Sequence, residues 1–173
     1  TPAVGAVLQP KTDCVRSQGG ARARVVYADG VGNSTTVLAT EAAVERWAEI
    51  FDAYGLGIDV SYESSSIGSN LPYPNLGDED LVQVSEGGSN SDITIVIGEK
   101  IQGSQEYYGV AGSIPGALVA APRSTVVISA LANAGGDGGF SQDDIRLYGE
   151  TLAHEVSHYM GLFPTVETDF STW

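Results

Sequence analysis

HEVSHYMGLFP, residues 154–164, is the stretch on which the reading of this chain turns. It closes a longer segment, FSQDDIRLYGETLAHEVSHYMG, that carries the period of a helix. Ile145, Tyr148, Leu152 and Val156 fall on one face of it. Ser141 stands where a cap is expected, and Asp144 three residues on completes a capping-box pattern. Gly161 then breaks the helix three residues after His158, where a site would require the chain to turn back.

On such a helix His154 and His158, four residues apart, lie one turn apart on the same face. Two imidazoles so placed can reach one ion, and zinc takes imidazole nitrogens at about 2.0–2.1 Å. Glu155 projects beside such an ion rather than onto it. From there it can take a proton from water, whose pKa zinc lowers to about 7. HExxH also arises by chance, as a helix with two surface histidines. Here the chain's two histidines both fall in the motif, and cap and period support the helix independently. The pattern points to metal-assisted water attack on a peptide carbonyl, with a peptide or protein as substrate.

Outward from the motif, the chain reads as alternating strands and helices. Thr1 to Gly20 carries two prolines and no period, so 1–22 is expected to be an N-terminal arm ahead of one domain over 23–173. ARVVYA, from Ala23, is a first strand. TEAAVERWAEIFDAYG is a helix capped by Thr40, with Val44, Trp47, Ala48, Phe51 and Tyr54 on its apolar face and Gly55 at its end. LGIDVSYES is a second strand with Ile58, Val60 and Tyr62 alternating. DITIVIG is an apolar strand of the doubly buried kind, and STVVISA is another apolar strand. Ser64 to Asn90, rich in Ser, Gly, Asn and Pro, is expected to be irregular, and Gly109 to Ala121 to hold a short edge strand. This order predicts an α/β layered domain: a mixed, mostly parallel twisted sheet with a backing helix and an active-site helix.

Bulk properties narrow the partners. The 173 residues suffice for one domain with a real core, and no apolar run approaches a membrane span. Twenty-two acidic residues against eight basic ones leave a net charge of −14, which disfavours nucleic acid and anionic membranes as partners. The acidic, glycine-rich stretches GDED (77–80) and GGDGGFSQDD (135–144) raise calcium as a second cofactor. They lack the spacing of a known calcium loop, and the ordinary alternative is a solvated turn and an acid-rich helix start.

HEVSHYMGLFP resembles the metzincin signature, in which HExxH is followed by xxG and, three residues on, a third histidine. With TLAHEVSHYMGLF around it and GVAGSIPGA upstream, it is most similar to the pappalysin-like branch of bacterial and archaeal metzincins. A strand, a helix and three strands ahead of the motif follow the pattern of that fold's zincin-like N-terminal subdomain, over about Ala23 to Gly161. The resemblance implies a secreted or extracellular zinc endopeptidase. His154 and His158 would be metal ligands, Glu155 the general base and acid, and Gly161 the residue that permits the turn. It also implies an antiparallel edge strand within Tyr108 to Ala121 that aligns the peptide substrate through its backbone.

The match breaks at Pro164, which occupies the third-ligand position and has no side-chain donor. The chain is therefore expected to be inactive or impaired as it stands. Glu167 and Asp169 are candidate substitute carboxylates, or else residues of a polar tail. The family's methionine turn has no counterpart, since the one methionine, Met160, lies inside the motif. The resemblance thus places the family's C-terminal subdomain outside this sequence. Cys14, the one cysteine, is open to three readings: a latency ligand to zinc, a partner for a cysteine beyond this chain, or a free thiol. The rival to an enzyme is a zincin-derived protein-binding module that has kept the cleft and lost the chemistry.

Overall fold

The computed structural model describes residues 19–72, 79–88, 92–102, 107–117, 119–121, 123–135 and 138–162. Cys14, Pro164, Glu167 and Asp169 lie outside them, as does Asp78 of the GDED stretch.

Five strands form the main sheet: β1 (Gly19–Tyr27), β2 (Leu56–Ser64), β4 (Asp92–Gly98), β7 (Thr125–Ser129) and β6 (Gly109–Ala111). Their spatial order is β2-β1-β4-β7-β6. All pairings are parallel except β6 with β7, which is antiparallel. A small second sheet pairs β3 (Asn70–Leu71) with β5 (Lys100–Ile101) in parallel. The domain is α/β with a mostly parallel mixed sheet, as the alternating pattern implied. β1 begins at Gly19, so residues 19–22, assigned to the arm, belong to the sheet.

Two long helices, α1 (Ser34–Asp52) and α4 (Gln142–Tyr159), pack together on one face of the sheet. Val25, Ile95, Val126 and Ile128 meet Trp47, Phe51, Tyr148, Leu152 and Val156 in this larger core. The close crossing depends on small residues. A Cβ added at Gly149 would lie 2.7 Å from the Ala43 carbonyl and 2.5 Å from Arg46 Cβ. Thr40 Oγ1 donates to the Thr36 carbonyl at 2.8 Å and sits 3.0 Å from the Tyr148 hydroxyl, tying the helices together.

That bond corrects the expected start of α1. Thr40 is a buried contact inside the helix, and the cap is Asn33, whose Oδ1 accepts from the N–H groups of Thr35 and Thr36 at 3.1 Å. The added stretch, about two turns, buries Thr36 and Ala39, too small to register as an apolar stripe. At the other end, helix geometry stops at Asp52 and Gly55 turns at φ +76°, so Tyr54 is left 75% exposed rather than on the buried face.

The opposite face of the sheet carries a smaller core of Leu71, Leu81, Val96, Ile101 and Val127. Leu81 comes from α2 (Glu79–Glu86), an eight-residue helix inside the segment expected to be irregular. What holds it is a buried cation. The Arg24 guanidinium, rooted in β1, binds the Glu63 carboxylate, the Val84 carbonyl near the end of α2, and Thr94 Oγ1 at 3.3 Å. A short helix α3 (Ala130–Asn133) follows β7 directly. Among the described residues no helix is long and apolar enough to cross a membrane.

Candidate active site

α4 starts as its sequence dictates: Ser141 Oγ accepts from Asp144 N–H at 3.2 Å, and Asp144 Oδ2 accepts from Ser141 N–H at 2.8 Å. Its C-terminal end carries the motif. The rings of His154 and His158 stand edge to face with centroids 4.4 Å apart, and their Nε2 atoms are 2.9 Å apart.

The turn after α4 adds a feature that the sequence pattern does not specify. Gly161 lies at φ +102°. Its N–H donates to the His158 carbonyl at 2.8 Å, and Leu162 N–H donates to the Ser157 carbonyl at 2.9 Å, the paired bonds of a Schellman motif. This carries the Leu162 carbonyl to within 2.6 Å of His158 Nδ1. A carbonyl can only accept, so Nδ1 holds the proton and the neutral ring presents its lone pair at Nε2. That lone pair accepts from His154 Nε2–H at 2.9 Å. Metal-binding histidines are commonly fixed in this way by a carbonyl on the far ring nitrogen.

Glu155 lies under the edge of the sheet. Its Oε2 accepts a hydrogen bond from Ala111 N–H of β6 at 2.8 Å. Burial pushes its carboxyl above the ordinary range, opposed by the neighbouring His154, the Ala111 N–H and His158. Gly109 makes the approach possible, since a Cβ there would sit 2.9 Å from Glu155 Cγ and 3.1 Å from Thr151 Cγ2.

The GVAGSIPGA stretch is pinned to the helix end by Tyr159. Gly116 N–H donates to the Tyr159 carbonyl at 2.7 Å, and the Tyr159 hydroxyl donates to the carbonyls of Ala117 and Ser124. A Cβ at Gly116 would strike the Tyr159 ring at 2.1 Å.

Beside the motif an open cleft of about 400 Å³ is bounded by Tyr107, Tyr108, Leu147, Thr151, His154 and Glu155. A crevice of about 420 Å³ opens elsewhere, at the carboxyl ends of β1 and β4 by Asp29, Asn33 and Glu99. It contains no histidine, and the motif cleft is the candidate site.

For a tetrahedral zinc ion two nitrogen ligands stand about 3.3 Å apart. The 2.9 Å between the Nε2 atoms is within a small ring rotation of that, so the two imidazoles fit a shared ion. Among the described residues no group of three or more His, Cys, Asp or Glu side chains converges on one point. The acidic stretches read for calcium serve helix starts where they are described: Glu79 and Asp80 in the first turn of α2, Asp143 and Asp144 in that of α4.

The structure thus brings His154, Glu155, His158 and Gly161 into one place. Sequence reasoning placed Gly109 and Ala111 in the edge strand without their contact to Glu155 and did not single out Leu162; all three contribute through backbone or through having no side chain. The chain matches no protein-family model, and no curated protein gives a match to it.

Proposed function

We propose that this chain carries the zincin-like N-terminal subdomain and active-site helix of a metzincin-type zinc endopeptidase. The observation that carries the reading is the paired Nε2 atoms of His154 and His158, 2.9 Å apart, with the His158 ring held by the Leu162 carbonyl. The antiparallel edge strand β6, placed just before β7, supports it, since the resemblance calls for such a strand beside the cleft.

In this reading a peptide or protein substrate lies along β6. His154 and His158 would hold zinc, which when bound supplies a Lewis acid at the scissile carbonyl. Glu155, partly desolvated, accepts the proton of the attacking water and delivers it to the leaving amine. Gly161 and Leu162 keep the His158 lone pair aimed at the ion. Pro164 leaves the third ligand position without a donor, so the chain as it stands is inactive or impaired. The setting proposed for the enzyme is extracellular. Cys14 is the candidate latency ligand, and calcium a candidate second cofactor.

The test is zinc stoichiometry by elemental analysis of the purified chain, of Pro164→His and of Cys14→Ser. Zinc absent from the chain and restored at one equivalent by Pro164→His supports a peptidase scaffold lacking one ligand. Stoichiometric zinc that Cys14→Ser removes identifies the thiolate as the third ligand. Failure of Pro164→His to bind zinc sinks the metallopeptidase reading for this chain.

One observation favours a second reading: Pro164, with no side-chain donor at the third-ligand position, suits a peptide-binding module that has lost the chemistry. It predicts that Pro164→His binds peptides along β6 and cleaves none.

A further inference from the structure

In an antiparallel pair, alternate residues aim their backbone groups at the partner strand and the others aim outward. At the two flanks of β6, Tyr108 and Gly112 turn backbone groups toward β7. Ser129 N–H donates to the Tyr108 carbonyl at 3.0 Å, and Gly112 N–H donates to the Thr125 carbonyl at 2.9 Å. Ala111, one residue from Gly112, therefore has its N–H on the outer side. Among the described residues β6 is the last strand of the sheet there. That N–H is nevertheless engaged, by Glu155 Oε2 at 2.8 Å. It is the hydrogen-bond donor that the Glu155 carboxylate has among the described residues.

A peptide adding to β6 as a further strand needs the same outward donor, because strand addition works through the free backbone groups of an edge. One N–H cannot serve two acceptors at full strength. Resting on the peptidase reading above, we propose that the Ala111 N–H is a shared contact. It holds Glu155 in the free cleft, and a docking peptide carbonyl takes it over. Docking then frees the carboxylate, leaving the imidazoles of His154 and His158 as its polar neighbours. The base is restrained until a substrate strand is in register. Gly109 belongs to the device, since any side chain there would push Glu155 away from Ala111.

The experiment needs neither metal nor turnover, so it can fail while the peptidase reading stands, and the reverse. Hydrogen exchange of the Ala111 amide is followed by NMR in the chain and in Glu155→Ala, with acetyl-Thr-Val-Thr-Val-Thr-amide as the strand probe. In the chain, the Ala111 amide is expected to be protected although no strand among the described residues covers it. In Glu155→Ala that protection falls about tenfold or more. The variant, freed of the competing carboxylate, binds the probe about tenfold more tightly, equivalent to about 1.4 kcal/mol. Bound probe restores the protection. Glu155→Gln keeps an acceptor oxygen and the side-chain shape, so it retains protection and separates loss of the contact from loss of the fold. Unchanged exchange in Glu155→Ala overturns the proposal. So does probe binding that is equal or weaker in the variant, or absent from both proteins.

Discussion

Replacing Gly161 by alanine tests the link between backbone conformation and metal chemistry. At φ +102° an L-residue is strained. The nearest heavy atom to an added Cβ is Pro115 Cβ at 3.7 Å, an ordinary contact. The cost is therefore conformational, about 1–2 kcal/mol. Alanine also narrows the unfolded ensemble, which offsets about 0.4–1 kcal/mol of it. The net loss of about 1 kcal/mol lowers Tm by about 2–4 °C in a chain of this size. Calorimetry reads that shift. A second assay reads the site: nitrogen-15 NMR of the His158 ring reports which nitrogen holds the proton. In the parent chain it is Nδ1, donating to Leu162. In Gly161→Ala the last turn relaxes and the ring becomes a mixture of tautomers. On the proposed zinc reading, the same substitution made in Pro164→His weakens zinc binding by about 10–100-fold. A loss above about 4 kcal/mol would mean a steric clash that the structure does not contain. The expected thermal loss with an unchanged tautomer would refute the claim that the Leu162 carbonyl holds the ring.

Other outcomes follow from the packing. Gly149→Ala should destabilise by about 1–3 kcal/mol in urea unfolding, although alanine favours helices, because its Cβ meets the α1 backbone. Tyr148→Phe removes the bond to Thr40 and should cost about 1 kcal/mol at pH 8. Burial raises the Tyr148 phenol, and Tyr27 to about 12. The folded state thus holds these protons more tightly than the unfolded state does. Their contribution is complete below pH 10 and is lost as pH climbs through the raised values. Tyr148→Phe should accordingly flatten the alkaline fall in urea midpoint above pH 10. Arg24→Met should cost about 2–3 kcal/mol by leaving the Val84 carbonyl and Thr94 without their donor. Hydrogen exchange should quicken across α2 first; a uniform change along the chain would count against that anchor.

Elements with a strong apolar period were legible in advance. DITIVIG, TVVIS and the stripe of Tyr148, Leu152 and Val156 became the strands and helix they suggested, because burial on a sheet or helix face leaves a periodic mark. The start of α1 was hidden because its first buried contacts are Thr36, Ala39 and Thr40, where closeness of approach matters more than hydrophobicity. α2 was hidden for another reason. One buried leucine and an arginine 60 residues away hold it, and neither leaves a local period. At the candidate site, the side chains that the structure brings together, His154, Glu155 and His158, could be named from their spacing. The groups that orient them are a main-chain carbonyl at Leu162 and a main-chain N–H at Ala111, which every residue type can supply.

The bond between Thr40 and Tyr148 spans 108 residues. Its consequence reaches back to synthesis on the ribosome. When α1 emerges, its partner helix has not been made, and β1 waits for β4 before its second edge is paired. Until residues 142–159 are out, the face bearing Trp47 and Phe51 has no cover and presents a sticky surface to the cell. The helix that completes the core is the same one that carries both histidines. A nascent chain therefore cannot assemble the paired imidazoles ahead of a finished scaffold, and a truncation before α4 should be captured by chaperones rather than accumulate as a folded fragment.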